Sequence, residues 1–180
     1  MTNKIAMIIA HRDFRDEEYF IPKRIFMDRN FKVVTVSTSD EKAIGMHGGE
    51  AKVDIVINNL KPEDFDAILF IGGAGVMDNI DNPDFHRVAR TTVEKGIVLG
   101  AICVAPMILA KAGLLDGKRA TVWSSPMNKN PIRVLEENRA IYKDEIVIVD
   151  GKIITANGPL AADEFAQTVL EVLTGEKKFI

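Results

Sequence analysis

Short β-branched runs alternate with helix-patterned segments along most of the chain, and this alternation limits the fold more than any other feature. Ile5–Ala10, Lys32–Thr38, Asp66–Ile71 and Ile97–Ile102 read as strands, several of them almost continuously apolar, the pattern of strands buried on both faces. Between and after them lie helical patterns: Glu17–Arg29, a segment opened by Asn82-Pro83-Asp84 and running to about Lys95, Val104–Ala112, Ile132–Asn138 and Leu160–Thr174. Gly96, Gly113 and Gly175 follow three of these, where a glycine ends a helix most easily. Pro22 falls early in the first helix, where a missing N–H is tolerated. Val53–Ile57 and Ala120–Trp123 predict two further strands, and Gly45-Met46-His47-Gly48-Gly49 a hairpin or loop. Ile141–Asp150 and Lys152–Ala156 predict a hairpin turning on Asp150-Gly151. The alternation argues for an α/β fold, a mostly parallel sheet covered by helices on both faces. With no internal repeat or linker, residues 1–180 read as a single domain.

Composition removes several function classes. A formal charge of −3 gives no electrostatic reason to expect nucleic acid or an anionic membrane as partner. No apolar run reaches the roughly 18 residues of a membrane span, and the N-terminus lacks the pattern of a signal peptide. One cysteine permits no internal disulfide and no cysteine-rich zinc site, so a reducing cytoplasm is the expected location and no metal is expected.

That cysteine, Cys103, stands directly between the strand ending at Ile102 and the helix beginning Val104-Ala105-Pro106. Ligands of open α/β sheets bind beyond the carboxyl ends of the strands. A residue with no loop on either side must make a sharp turn, the geometry of a nucleophile elbow, although the G-x-S-x-G pattern is absent. The following helix N-terminus is expected to favour thiolate over thiol. A lone cysteine is also compatible with a buried structural role; its position at a strand end favours a reactive one.

Gly72-Gly73-Ala74-Gly75 ends another strand and belongs to the same rim. Its backbone N–H groups, with that of Val104, fit an oxyanion site, and a tight turn needing unusual dihedrals fits the same residues. The run lacks both G-x-G-x-x-G and a P-loop lysine, so no nucleotide cofactor is expected. Glu17 and Glu18 open the first helix, where acids offset the helix dipole. A carboxyl beside a thiol would share one proton with it and move protons during a reaction.

Five segments in order carry a resemblance. They are Glu18-Tyr19-Phe20-Ile21-Pro22; Phe65-Asp66-Ala67 leading to Gly72-Gly73; Ala101-Ile102-Cys103-Val104-Ala105-Pro106; Ala112–Lys118; and Asp150–Pro159. With these the chain resembles the ThiJ/PfpI superfamily, which includes the Parkinson-disease protein deglycase and archaeal intracellular proteases. The resemblance implies a flavodoxin-like three-layer sandwich, a class I glutamine amidotransferase-like domain, and Cys103 as the elbow nucleophile. It selects Glu18 rather than Glu17 as the acid, puts the N–H groups of Gly73 and Val104 near the sulfur, and places Gly158-Pro159 on the pocket. Members are commonly homodimers, and some protease-like members are hexamers. Val104 stands where protease-like members carry a histidine, and Thr121–Pro126 lacks the histidine of the deglycase branch. His11, at the end of the first strand, and Trp123 are further pocket candidates; His47 is a weaker one, and His86 reads as a solvent-exposed residue on a helix face.

Three functions follow as expectations. The first is a cofactor-free, cysteine-dependent glyoxalase or deglycase acting on small reactive carbonyls, with Cys103 forming a hemithioacetal and Glu18 carrying protons. The second is an oxidative-stress sensor or chaperone-like protein working through oxidation of Cys103. The third is a cysteine peptidase, which the missing imidazole disfavours.

Overall fold

The computed structural model describes residues 2–175. In chain order the strands are β1 (Lys4–Ile8), β2 (Arg12–Phe14), β3 (Lys32–Ser37), β4 (Ala43–Gly45), β5 (Glu50–Ala51), β6 (Ile55–Val56) and β7 (Ala67–Phe70). They continue with β8 (Val98–Ile102), β9 (Arg119–Ala120), β10 (Ile141–Tyr142), β11 (Val147–Asp150) and β12 (Ile153–Ala156). The α-helices are α1 (Asp16–Asp28), α2 (Pro83–Glu94), α3 (Pro106–Lys111), α4 (Asn130–Glu137) and α5 (Ala162–Thr174).

Seven strands form the main sheet in the order β11-β12-β8-β7-β1-β3-β6, parallel except for β11, which runs antiparallel to β12. The interior strands β7 and β8 are buried at every residue, which is why they read as apolar runs rather than as an alternation. From β1 the chain moves through α1 to β3 on one side, then returns past β1 to β7 and moves through α2 to β8 on the other. Right-handed crossovers in opposite directions put α1 and α2 on opposite faces of the sheet. Helix α5 packs on α1, while α3 packs on both α2 and α4, completing a flavodoxin-like three-layer arrangement. The reversal of strand order lies between β1 and β7, so the crevice expected for ligands opens at their carboxyl ends.

Local chemistry accounts for the boundaries. Asn82 accepts the Asp84 N–H at 2.9 Å and Pro83 opens α2, while Gly175 closes α5 at φ 72°. Pro22 lies well inside α1 rather than in its first turn, and the helix continues through it.

Three expected strands need correction. Val53–Ile57 contributes only Ile55–Val56, and a 3₁₀ turn begins at Ile57. The Ala120–Trp123 run pairs only at Arg119–Ala120. Beyond it, the Thr121 N–H donates to the Thr155 hydroxyl at 3.0 Å and the Trp123 N–H to the Cys103 carbonyl at 2.8 Å, so no ladder forms. Ile141–Asp150 divides at the polar residues 143–145: Ile141–Tyr142 pairs with β9, and only Val147–Asp150 forms the hairpin with β12.

Candidate active site

The carboxyl ends of β1, β7, β8 and β12 deliver four segments to one rim: 9–15, 71–75, Cys103 and 157–159. Cys103 sits at φ 65°, a left-handed conformation that costs a side-chain-bearing residue about 1–3 kcal/mol. Backbone bonds hold it there. Its N–H donates to the Ala156 carbonyl at 2.9 Å, and its own carbonyl accepts the Trp123 N–H.

Glu18, in the first turn of α1, is completely buried, whereas Glu17 reaches outward to bind Arg15 at 2.9 Å. The Glu18 carboxyl lies in hydrogen-bonding reach of the Cys103 sulfur, and its Oε2 accepts the Gly72 N–H at 3.0 Å. Its Oε1 is buried with no partner among the described residues. Burial pushes this carboxyl up to about 7, against the opposing pull of the bonds from Cys103 and Gly72 and the charge of Arg15. The Pro22 nitrogen carries no hydrogen, so the helical i−4 acceptor, the Glu18 carbonyl, receives no bond from it.

The glycines between these groups are there for space. A Cβ on Gly72 would stand 2.5 Å from the Cys103 Cβ and 2.6 Å from Glu18 Oε2, so only glycine lets thiol and carboxyl meet. Gly73, at φ 118°, would drive a Cβ into the backbone of residues 13–15. The Gly73 and Val104 N–H groups both hydrogen-bond the sulfur.

The expected preference for thiolate is not found. Burial pushes the Cys103 thiol up, the adjacent Glu18 carboxylate pushes it further, and the two N–H donors offset only part. Helix α3 has six residues and starts at Pro106, three beyond the sulfur, so its dipole is short and displaced. The two acids therefore behave as one unit in which a proton is held between sulfur and carboxyl above about pH 7.

Cys103 opens into a cavity of about 400 Å³. Gly73, Val104, Trp123 and Pro159 line it, whereas Gly158 is not on the lining but adjoins Trp123, where an added Cβ would stand 3.2 Å from the indole. His11 does not line the cavity. It turns toward Glu41, with Nε2 at 3.8 Å from the carboxylate. His47 lies 3.6 Å from Glu17, and His86 bonds the Ile80 carbonyl at 2.7 Å. Among the described residues, no imidazole lines this space, and no cluster of three or more His, Cys, Asp or Glu side chains has metal-binding spacing. Arg15, Met77, Asn128, Asn130 and Pro131 line the cavity with no signal in the sequence, since they come from loops, a 3₁₀ turn and a helix start that carry no period; Met46 joins them from the glycine-rich turn.

Comparison with known proteins follows the geometry. A curated, uncharacterized protein of Methanocaldococcus jannaschii is 39% identical over 171 residues, 94% of this chain and 82% of that protein. The crystal structure of a ThiJ/PfpI domain protein from Brachyspira murdochii superposes with a TM-score of 0.91 at 28% identity, covering 97% of this chain and 98% of that one. Drosophila melanogaster DJ-1beta superposes with a TM-score of 0.85 at 26% identity, covering 98% and 92%. The model of the DJ-1/PfpI family matches residues 3–172, and with that match across nearly its whole length the chain belongs to the DJ-1/PfpI family.

Proposed function

We propose that this protein is a cofactor-free, cysteine-dependent enzyme acting on small reactive carbonyls, α-oxoaldehydes of the methylglyoxal kind, free or as adducts on amino groups. The observation that carries the reading is Cys103, held at φ 65° on the cavity wall with the Glu18 carboxyl, raised to about 7, in contact with its sulfur. In the first step the sulfur bonds to the aldehyde carbon. The thiol proton passes to the Glu18 carboxylate and from there to the former carbonyl oxygen, giving a hemithioacetal. The Gly73 and Val104 N–H groups steady the sulfur as its charge changes. Glu18 then takes the C–H proton from the carbon bearing sulfur and delivers it to the neighbouring carbonyl carbon, while the hydroxyl proton on the first carbon passes to the oxygen on the second, leaving a thioester. The first carbon is oxidised and the second reduced, and water releases the hydroxy acid and the free thiol. On an amino adduct the sulfur displaces the amine from that carbon, the C–S bond forming as the C–N bond breaks, and the thiol proton, carried by Glu18, leaves on the amine nitrogen; the resulting hemithioacetal then follows the same course.

Peptide hydrolysis lacks support, because an amide carbonyl is far less electrophilic than an aldehyde and needs a thiolate generated by a positioned imidazole, and none lines the cavity among the described residues. A homodimer, a single domain and a cytoplasmic location belong to the same reading, with sedimentation velocity as the measure of the first. Among the described residues no helix is long and apolar enough to cross a membrane.

The deciding experiment is methylglyoxal turnover by wild type, Cys103→Ser and Glu18→Gln in thiol-free buffer. Activity in the wild type and its loss in both variants is the expected result. Retained activity in Cys103→Ser overturns the mechanism. A folded wild type without turnover that gains two oxygens at Cys103 under mild peroxide points instead to an oxidation sensor.

A further inference from the structure

We infer that the carbonyl compound handled here carries an apolar substituent of about ring size, seated against Trp123, Met46 and Met77. The inference rests on the Cys103 chemistry above and names its substrate class. A cavity of about 400 Å³ falls in the range of ~300–1,000 Å³ that seats drug-sized ligands. A molecule the size of methylglyoxal fills on the order of 100 Å³, scaled from about 30 Å³ per water, and leaves most of that space to solvent.

The walls beyond the sulfur decide what fills the rest. Met46, Met77, Val104, Trp123, Pro131 and Pro159 are uncharged and present carbon and sulfur surface. Among the described lining residues the one formal charge, Arg15, is paired: its Nε donates to Glu17 Oε2 at 2.9 Å and its Nη2 to Oε1 at 3.2 Å. An anionic substrate therefore meets a cation that already has a carboxylate partner, and Asn128 and Asn130 add two polar points, while an apolar substituent meets the larger share of the wall. Met46 and Met77 remain 40% and 46% exposed, apolar area that a bound ring would remove from water. Unbranched, polarisable thioethers adapt to an aromatic or alicyclic outline more readily than branched side chains do.

The Met46 wall is built in place rather than left to chance. Asp16, at the start of α1, accepts the His47 N–H at 2.9 Å and the Gly49 N–H at 2.8 Å, one on each carboxylate oxygen. The Met46 N–H donates to the Phe14 carbonyl at 2.9 Å and the Gly45 N–H to the Gly49 carbonyl at 2.7 Å. These bonds fix a glycine-rich turn so that its methionine faces the cavity. Asp16 is thus a positioning residue for substrate selection.

Trp123 is the chain's single tryptophan, so its emission reports occupancy of this cavity without any turnover. The test titrates Cys103→Ser with cyclohexyl methyl ketone and with acetone, and compares kcat/KM of wild type for cyclohexylglyoxal and methylglyoxal. The ring ketone is expected to shift the emission and bind at least about tenfold tighter than acetone, about 1.4 kcal/mol. Met46→Ala and Asp16→Ala are each expected to narrow that ratio at least about threefold, Met46→Ala by removing wall surface and Asp16→Ala by freeing the turn. Equal binding of the two ketones, or emission unmoved by either, overturns the inference. Ring-selective binding in the absence of any turnover sustains the inference and removes the Cys103 mechanism. Turnover without ring preference does the reverse.

Discussion

The Glu18 carboxyl and the Cys103 thiol are 85 positions apart in sequence and lie in hydrogen-bonding reach in the fold, so each sets the proton state of the other. Because the folded protein raises Glu18 from 4.5 to about 7, it favours the protonated carboxyl. The resulting stability is fully present below about pH 4.5 and is lost as pH rises through about 7, a change of roughly 3 kcal/mol at about 1.36 kcal/mol per unit. Glu18→Gln is neutral at every pH, so chemical denaturation should find it more stable than wild type by up to about that amount at pH 8, with the difference gone by pH 4. On the activity side, kcat/KM of the wild type for an oxoaldehyde should rise through an inflection near pH 7 as Glu18 gains its charge, an inflection missing from Glu18→Gln. Gly72 tests the same pair from a different side. Gly72→Ala forces a methyl between Cys103 and Glu18, and an urea titration should show a loss of about 1–3 kcal/mol together with loss of turnover.

Elements differ in how plainly the sequence announces them. β1, β7 and β8 are legible because burial on both faces leaves continuous apolar runs, and α2 is legible from its Asn-Pro-Asp opening. Two-residue strands such as β9 and β10 have no room for a period, and the segment 121–123 is extended by scattered bonds to Thr155 and Cys103 that no local pattern encodes. The site divides the same way. Cys103 stands out because a strand runs into a helix around it, whereas Asn128, Asn130 and Met77 reach the cavity only through tertiary placement. The turn Gly45–Gly49 shows how one side chain governs an element: without Asp16, the His47 and Gly49 N–H groups lose charge-assisted bonds worth about 1.5–3 kcal/mol each. Asp16→Ala should therefore raise amide exchange at His47 and Gly49 by about tenfold or more in hydrogen-exchange mass spectrometry, while β8 stays protected.

For the molecule as a whole, one main seven-stranded sheet with helices on both faces predicts one cooperative unit. Far-UV circular dichroism and the emission of Trp123 should follow one urea transition with a common midpoint; separate midpoints would divide the chain into independent parts. Strand β12 is inserted between β8 and β11, and its last residue, Ala156, accepts the N–H that fixes the Cys103 elbow. Synthesis proceeds from the N-terminus, so Glu18, Gly72 and Cys103 all leave the ribosome before that acceptor exists. A nascent chain thus carries an ordinary flexible cysteine, and the reactive geometry is acquired late, when the strand that locks it has been made.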